Sequence, residues 1–230
     1  MFVNRKESSM KLPVTPKLPE YPRISFITST MRGGKSSRLL ADRFNAIQRG
    51  FETIIIKPTK DTRDGEFKNE WGFMTSRFFP GQQYKAFYAA QIDNKFIKDI
   101  LLDGAGARKY DRVFVDEVQF FEPADIETLA GEVVHKMGIP VKCYGLQADI
   151  NSNLFPGSAK LLAITVPYVI PYDCEMQCGD LASVHLRFKD GVLDKSGESV
   201  AIEQGEITYL SVCPKCWQGI INNDKTVKFR

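Results

Sequence analysis

Three groups of residues in this chain of 230 have types and spacings that suit chemistry. The first is Gly33-Gly34-Lys35-Ser36, in which two glycines precede a lysine and a hydroxyl group. The second is the acidic pair Asp116-Glu117, which directly follows a short apolar run. The first group suits the binding of phosphate, and the second suits a divalent cation. The third group consists of closely spaced thiols, which suit a tetrahedral metal ion as thiolates. Its members are Cys174, Cys178, Cys213 and Cys216.

Residues 29–36, Ser-Thr-Met-Arg-Gly-Gly-Lys-Ser, follow a strand-like segment and precede a helical pattern, as a phosphate-binding loop does. Backbone N–H groups and the helix N-terminus present positive potential to phosphate oxygens. Lys35 adds a full charge at the β and γ phosphates, and the Ser36 hydroxyl suits Mg²⁺. Ser29 stands where G-x-x-x-x-G-K-[ST] has its first glycine, so a serine-capped turn is the alternative. The predicted ATP and Mg²⁺ site comprises Ser29, Thr30, Met31, Arg32, Gly33, Gly34, Lys35 and Ser36.

The acidic pair ends a buried strand that is predicted from Val113, Phe114 and Val115. Carboxylates at such a strand end hold Mg²⁺ and orient a nucleophile in phosphate-transferring enzymes. Adjacent side chains on an extended strand point in different directions, so Asp116 and Glu117 would have different tasks. A strand end that meets solvent is the alternative, and the phosphate loop upstream favours the functional interpretation.

Alternating strand and helix patterns predict the scaffold that positions these groups. The predicted strands are RISFITS, ETIIIKP, YKAFYAA, DRVFVDE, PVKCYGL and YVIPY in the first three quarters, then SVHLRF, SVAIEQ and EITYLSV. The predicted helices are SSRLLADRFNAIQRG, NKFIKDILLDG, PADIETLAGEVVHKMG and AKLLAI. We expect Leu40, Phe44 and Ile47 to form the apolar side of the first helix, and Gly50 to end it. The segment DTRDGEFKNEWGF is predicted to be a loop or short helices. This alternation predicts an α/β fold whose mainly parallel sheet is flanked by helices.

Composition and charge narrow the class of protein. Hydrophobic residues make up 43% and charged residues 26%, and 31 basic against 28 acidic residues give a net charge of +3. That balance argues against a nucleic-acid partner, and the absence of a long apolar stretch argues against a membrane or a secretory signal. We therefore expect a cytoplasmic protein, in the host cytoplasm if it is viral. We expect three parts: a flexible N-terminal arm at 1–22, a P-loop α/β nucleotide-binding domain at 23–173 and a small zinc-binding domain at 174–230.

The four clustered cysteines predict a structural zinc site. Cys174-x₃-Cys178 and Cys213-x₂-Cys216 offer four thiolates, and a reducing compartment favours a metal over disulfides. A small module with little apolar mass needs such a staple. Three cysteines with His185, or no metal at all, are the alternatives.

The ordered motifs resemble those of the type II thymidine kinase family of cells, bacteria, large viruses and phages. The family's G-x-M-x-[SA]-G-K-[ST] is matched by Met31, Gly34, Lys35 and Ser36, whereas Ser29 and Gly33 differ. KPTKDTR at 57–63 is similar to its K-P-x-x-D-T-R, in which Arg63 could add charge or tie the loop to Asp61. The motif D-E-x-Q-F is matched by Asp116, Glu117, Gln119 and Phe120. The segments YGLQADINSNLFPGSAKLLAI, CGDLASVHLR and YLSVCPKC extend the resemblance over roughly residues 23–217.

The resemblance implies a RecA-like P-loop domain with a small C-terminal zinc-binding module that carries a substrate-binding loop, the lasso. It implies transfer of the ATP γ-phosphoryl group to the 5′-hydroxyl of thymidine in nucleotide salvage, with deoxyuridine as a second candidate acceptor. Glu117 would be the catalytic base, and Asp116 and Gln119 would belong to the ATP and Mg²⁺ site. The implied partners are ATP, thymidine and further copies of the chain in a homotetramer. The implied thymidine pocket comprises Met31, Phe120, Leu146, Ile150, Phe155, Val200, Ala201, Ile202, Glu203, Gln204 and Tyr209. His185 stands where the family has a threonine beside the base.

Two other functions remain alternatives at this point. A P-loop ATPase that acts on nucleic acid would share the loop and the acidic strand end, but it should carry basic residues around the cysteines. Acidic side chains outnumber basic ones there: Asp173, Glu175, Asp180, Asp190, Asp194, Glu198, Glu203 and Glu206. An inactive nucleotide-binding relative is suggested by Ser29 and by Thr75-Ser76-Arg77, which occupies the place of a His-Asp pair in the family.

Overall fold

A seven-stranded sheet forms the centre of the computed structural model, which describes residues 23–76, 79–194 and 207–223. Its strands lie in the order β3-β4-β2-β5-β6-β1-β7, and every neighbouring pair is parallel except β3 with β4. This arrangement confirms the predicted α/β fold with a mainly parallel sheet. The strands are β1 Ile24–Thr28, β2 Thr53–Pro58, β3 Glu70–Ser76, β4 Phe79–Ala89, β5 Arg112–Val115, β6 Val141–Gly145 and β7 Tyr168–Val169.

Helices cover both faces of this sheet. Within β5, Val113 and Val115 belong to one apolar cluster, whereas Phe114 between them belongs to the other. Both faces are therefore buried, which is why the strands read as continuous apolar runs. The helices are α1 Lys35–Gln48, α2 Asn94–Phe96 with a π-helical continuation Ile97–Leu101, α3 Pro123–Thr128 with a π-helical continuation Leu129–Lys136, α4 Pro156–Ile164 and α5 Pro214–Asn223.

The apolar side predicted for α1 is partly wrong. Leu40 is buried, but Phe44 is 61% exposed and Ile47 is 42% exposed. The side that packs on the sheet instead carries Leu39, Leu40 and Ala46. Gly50 ends the helix as predicted, with a left-handed φ of 79° and an N–H that donates to the Ile47 carbonyl.

A second, three-stranded antiparallel sheet lies in the C-terminal part. Its order is β10-β8-β9, with β8 Val184–Lys189, β9 Val192–Leu193 and β10 Ile207–Val212. Alternate residues on β8 and β10 pack with the cysteines in a small apolar core: Leu186, Phe188, Leu210 and Val212. The residues between them occupy the opposite face, where His185 pairs with Ser211 and Arg187 pairs with Tyr209.

Three predicted segments differ from the observed elements. The predicted loop DTRDGEFKNEWGF runs into β3, because Glu70 begins a strand that pairs with β4. Both β9 and α5, which carries Cys216, were not predicted. The predicted arm at 1–22 and the predicted strand SVAIEQ at 199–204 lie outside the described residues, as does Arg77. None of the helices in the described part of the chain has the length and apolar character needed to span a bilayer.

Candidate active site

The phosphate-binding loop connects the end of β1 to the start of α1. Gly34 immediately precedes the helix with a left-handed φ of 81°, and no side chain caps it. Free N–H groups in the first turn therefore face the loop, which is the arrangement that binds phosphate oxygens. Lys35 is buried, and its Nζ donates to the carbonyls of Thr30 at 2.7 Å and of Ser29 at 3.3 Å. Burial lowers the pKa of Lys35, and the charges of Glu117 and Asp116 oppose that shift.

The acidic pair lies at the carboxyl end of β5, on the edge of the sheet where β1 delivers the phosphate loop. Both acids are buried, and Glu117 has a left-handed φ of 50° that turns the chain sharply out of the strand. Strained backbone at a non-glycine residue is typical of functional sites. Because β1 and β5 both run parallel to β6, their carboxyl ends place Lys35, Asp116 and Glu117 at one edge of the sheet.

The carboxylate of Glu117 is held from two sides. Its Oε1 accepts from the guanidinium of Arg63, and its Oε2 accepts from Gln119 Nε2 at 2.6 Å. Gln119 is fixed in turn, because its Oε1 accepts from the backbone N–H of Leu146 at 3.1 Å. Burial alone would raise the pKa of Glu117, but Arg63 and Lys35 outweigh it and the pKa is lowered. Glu117 is therefore ionised at neutral pH and has a fixed orientation.

Asp116 has different surroundings from its neighbour. Burial raises its pKa, and the charge of Glu117 adds to that shift, while Lys57 opposes it. Its closest cation is Lys57, at 3.8 Å from Nζ to Oδ2. The two acids thus differ in both partner and protonation tendency.

Lys57 joins the acids to the loop after β2. Its side chain is only 2% exposed, and its Nζ lies 2.8 Å from both Asp61 and Asp64. Asp61 also accepts from Arg63 Nε at 2.7 Å and Nη2 at 2.9 Å, so the tie considered for the DTR motif is present. Burial would raise the pKa of Asp61, but Arg63 and Lys57 hold it well below its usual range. One chain of alternating charges therefore runs from Lys57 through Asp61 and Arg63 to Glu117.

The predicted thymidine-pocket residues that the structure describes are all half-buried: Met31, Phe120, Leu146, Ile150, Phe155 and Tyr209. Phe120 and Phe155 pack edge to face with ring centroids 6.1 Å apart. Ile150 lines a cavity of about 190 Å³ together with His185 and Trp217. The remaining predicted residues, Val200, Ala201, Ile202, Glu203 and Gln204, lie outside the described residues.

His185 is a buried imidazole beside this cavity. It is 5% exposed, and its Nδ1 has no hydrogen-bond partner within the described ranges 23–76, 79–194 and 207–223. Burial lowers its pKa to about 4, and the nearby charge of Lys35 contributes. The ring is therefore neutral at neutral pH, so it can donate or accept a hydrogen bond according to its tautomer.

The C-terminal part contacts the phosphate loop directly. The Ser211 hydroxyl donates to the carbonyl of Met31 at 3.0 Å, and Arg32 Nη1 pairs with Glu175 Oε1 at 3.1 Å. Glu175 stands between two of the cysteines in sequence and also accepts from the backbone of Ser211. The cysteine-bearing module is therefore in a position to influence the shape of the loop.

The four C-terminal cysteines form one cluster. Their Sγ atoms all lie within 4.8 Å of one another, and none is in a disulfide. This group could hold a metal ion, and it does not include His185, whose side chain lies on the other face of β8. The spacing between Cys174 and Cys178 is one residue longer than that between Cys213 and Cys216, and it includes left-handed backbone at Gln177, with φ of 54°.

Sequence reasoning did not single out Lys57, Asp64 or Arg187 as parts of a site. The sequence around Lys57 does predict a buried ion pair, because a lysine inside the apolar strand TIIIKP needs a counter-charge. The side chain of Arg187 is 1% exposed, and its Nε lies 3.3 Å from Asp194 Oδ2. Its position between two apolar residues of β8 likewise predicts a buried ion pair. Asp64 carried no such signal, since it belongs to a polar loop.

The sequence of this chain matches one protein family over most of its length. A family model described as thymidine kinase matches residues 22–217. The thymidine kinase of Haemophilus influenzae is 35% identical over 192 residues, which cover 83% of this chain and 93% of that protein. The thymidine kinase of Ruegeria pomeroyi is 34% identical over 197 residues, or 85% and 93% of the two chains. The thymidine kinase of Enterobacteria phage T4 is 31% identical over 193 residues, or 84% and 93%.

Proposed function

Because the chain belongs to the thymidine kinase family, we propose that it transfers the γ-phosphoryl group of ATP to the 5′-hydroxyl of thymidine, for nucleotide salvage. Deoxyuridine is a second candidate acceptor, since it lacks only the methyl group. The observation that supports the proposal is the common location of Lys35, Asp116 and Glu117 at the edge of the sheet where the parallel strands β1 and β5 end. A phosphate-binding loop beside an ionised, oriented carboxylate is the arrangement that phosphoryl transfer to a hydroxyl requires.

In this mechanism Glu117 accepts the proton of the 5′-hydroxyl. Arg63 and Gln119 hold the carboxylate in one orientation, so the base is already aligned when the nucleoside arrives. Lys35 and the N–H groups of residues 29–36 hold the triphosphate and stabilise negative charge on the transferred group. Lys35 currently donates to carbonyls of its own loop, and those bonds exchange for phosphate oxygens when ATP binds.

Asp116 and Ser36 would hold the Mg²⁺ that accompanies ATP, with Gln119 nearby. Carboxylate and hydroxyl oxygens are the donor type that Mg²⁺ prefers. An ion held by these two residues would supply positive charge beside the β and γ phosphates.

Thymidine would occupy the space between the loop after β6 and the C-terminal module. Half-buried apolar side chains suit a flat ring with a methyl group, and they are supplied by Met31, Phe120, Leu146, Ile150, Phe155 and Tyr209. Val200–Gln204 would complete the pocket as the lasso. The neutral imidazole of His185 is well suited to hydrogen-bond the base edge without adding charge.

The four-cysteine cluster would hold a structural Zn²⁺ that maintains the module at 174–230 as a unit distinct from 23–173. Four thiolates are the donor set of structural zinc sites. We expect about one zinc per purified chain and a content well below one in Cys216→Ser, because three thiolates bind more weakly. The matched control is Cys143→Ser, since Cys143 lies in β6 and outside the cluster. Atomic absorption measures both contents, and equal zinc in the two variants would contradict the site.

Association of identical chains is part of the proposal, with the family's tetramer as the expected state. On the outer face of α1, Phe44 is 61% exposed, and Val169 on the edge strand β7 is 56% exposed. Exposed large apolar groups of this kind are typical of interaction surfaces. Light scattering on the purified chain measures the mass, and a monomer at micromolar concentration would contradict the assembly.

We also propose a cytoplasmic location for the protein. The test of its function is the transfer of labelled phosphate from ATP to nucleosides by the purified protein. We expect labelled thymidine monophosphate, weaker labelling of deoxyuridine and no stimulation of ATP hydrolysis by single-stranded DNA. ATP turnover that depends on DNA and ignores thymidine would favour the ATPase alternative. ATP binding without turnover under any condition would favour the inactive relative.

A further inference from the structure

The two adjacent glycines of the phosphate loop are glycine for different reasons. Gly34 has a left-handed φ of 81°, and nothing lies within 4 Å of the point where a Cβ would stand. Gly33 is not among the glycines with positive φ, but a Cβ there would lie 1.9 Å from Ser29 Oγ and 2.8 Å from Ser29 Cβ. It would also lie 3.2 Å from the carbonyl oxygen of Thr30, a tight contact that needs a shift of only a few tenths of an ångström. Real Cβ atoms essentially never lie within 3.0 Å of a heavy atom outside their own residue and its two chain neighbours. Gly34 is therefore needed for its backbone conformation, whereas Gly33 is needed because Ser29 fills the adjacent space.

Ser29 is held firmly in that space. Its side chain is buried, and its Oγ donates to the carbonyl of Ile170 at 2.8 Å. The N–H of Ile170 donates in turn to the carbonyl of Thr28 at 2.8 Å, so the end of β1 is tied at two successive residues to the segment that follows β7. Rotation of the Ser29 hydroxyl away from Gly33 would break a buried hydrogen bond, and the Ser29 Cβ would still be too close.

We propose that Ser29 and Gly33 are a matched pair of positioning residues that together set the shape of the phosphate loop. The pair inverts the arrangement of the motif G-x-M-x-[SA]-G-K-[ST], in which glycine comes first and the small side chain four residues later. In this chain the side chain comes from residue 29, and it gains an anchor to Ile170 that a glycine there would lack. The serine at residue 29 and the glycine at residue 33 therefore depend on each other, since the side chain of one occupies the space beside the other. This inference rests on the proposed function, in which the loop holds the phosphates of ATP.

The shape of the loop matters because its carbonyls and N–H groups share the same short segment. Lys35 Nζ donates to the carbonyl of Ser29 at 3.3 Å, and the N–H of Gly33 donates to the carbonyl of Thr30 at 3.2 Å. Displacement of Ser29 by a side chain at residue 33 would therefore move both Lys35 and the turn. Phosphate binding depends on the alignment of these groups, so the affinity for ATP should respond first.

A double-mutant cycle on these two residues tests the proposal. We expect Gly33→Ala to raise the KM for ATP about tenfold and Ser29→Gly about threefold, while Ser29→Gly/Gly33→Ala stays within about threefold of the parent because the two changes compensate. The KM for thymidine should change less than the KM for ATP, because Met31 is the only residue of the loop in the proposed thymidine pocket, whereas the loop as a whole holds the phosphates. Calorimetric titration with a non-hydrolysable ATP analogue gives the same comparison without catalysis.

Two further variants separate the steric cause from others. Addition of Ser29→Ala to Gly33→Ala should restore the affinity for ATP only in part, because the Cβ of residue 29 would still lie 2.8 Å from the new Cβ. Ser29→Gly should give no rescue of Gly34→Ala, whose defect is backbone strain. If Gly33→Ala alone fails to fold, the double variant should recover the thermal unfolding midpoint as well.

Two outcomes would overturn the pairing: a harmless Gly33→Ala, or a double variant whose ATP affinity falls by the product of the single effects. Neither outcome depends on the identity of the phosphate acceptor. A wild-type protein that binds the ATP analogue but leaves thymidine unphosphorylated would instead remove the proposed function, and the cycle measured by titration would still decide the pairing.

Discussion

Replacement of Glu117 by glutamine is expected to lower kcat for thymidine phosphorylation by about 10²-fold or more, because a positioned general base contributes on the order of 10²–10⁴. The amide is nearly isosteric, so it removes the proton acceptor and leaves the volume of the site unchanged. Glu117 is ionised through its contacts with Arg63 and Lys35, which outweigh its burial. Steady-state assays at saturating ATP and thymidine measure the loss, and the KM for ATP should change by much less.

The matched control for this variant is Glu127→Gln. Glu127 is another glutamate of the same half of the chain, but its side chain is 61% exposed and pairs with Lys160 on the surface. We expect kcat within about twofold of the parent for this control, since exposed ion pairs contribute little. Equal activity in Glu117→Gln and Glu127→Gln would remove Glu117 from the role of base.

Much of the site could be predicted from the sequence because its residues adjoin strand ends. Lys35 follows β1, and the pair Asp116-Glu117 follows β5. The carboxyl ends of parallel strands meet at one edge of the sheet, so the pattern of strands is enough to bring these groups together. The cysteine cluster could be predicted for a similar reason, because two short-spaced pairs in one module have few other uses.

The outward side of α1 could not be read from periodicity alone. Phe44 and Ile47 are apolar and lie at helical spacing, yet both are exposed, because Leu39 and Ala46 contact the sheet instead. An apolar residue on a helix predicts burial against some surface without saying whether that surface belongs to the same chain. The missing information is the identity of the partner surface.

The network around Lys57 could not be predicted for a different reason. Its partners Asp61 and Asp64 lie in a polar loop, and Asp116 lies almost sixty residues further along the chain. Polar loops contain many acids, and sequence spacing does not show which of them turns back toward a buried strand. The lysine in β2 predicts that some counter-charge exists, whereas the choice of partner is a property of the fold.

Replacement of Lys57 by methionine is expected to lower the free energy of unfolding by about 3–5 kcal/mol, because it leaves buried carboxylates without their counter-charge. Methionine keeps a similar length and removes only the charge and its hydrogen bonds. Asp64 would keep its bonds from Thr75, and Asp61 would keep those from Arg63, but Asp116 would lose its nearest cation. Urea denaturation followed by circular dichroism measures the change. The matched control is Lys60→Met, a lysine three residues away that is 59% exposed and should change stability by less than about 0.5 kcal/mol.

The pH dependence separates loss of charge compensation from loss of packing. In the parent, Asp61 has a lowered pKa, so its stabilising contribution is present above the ordinary carboxylate pKa and is lost as the pH falls. In the parent the pKa of Asp116 is already raised, and in Lys57→Met it should rise further because Asp116 loses the cation nearest to it. The folded variant then binds more protons than the folded parent, so the loss of stability relative to the parent should grow as the pH rises from 5 to about 8. A deficit relative to the parent that is the same at pH 5 and pH 8 would mean that methionine disturbs packing. That result would remove Lys57 from its role as the counter-charge of the buried acids.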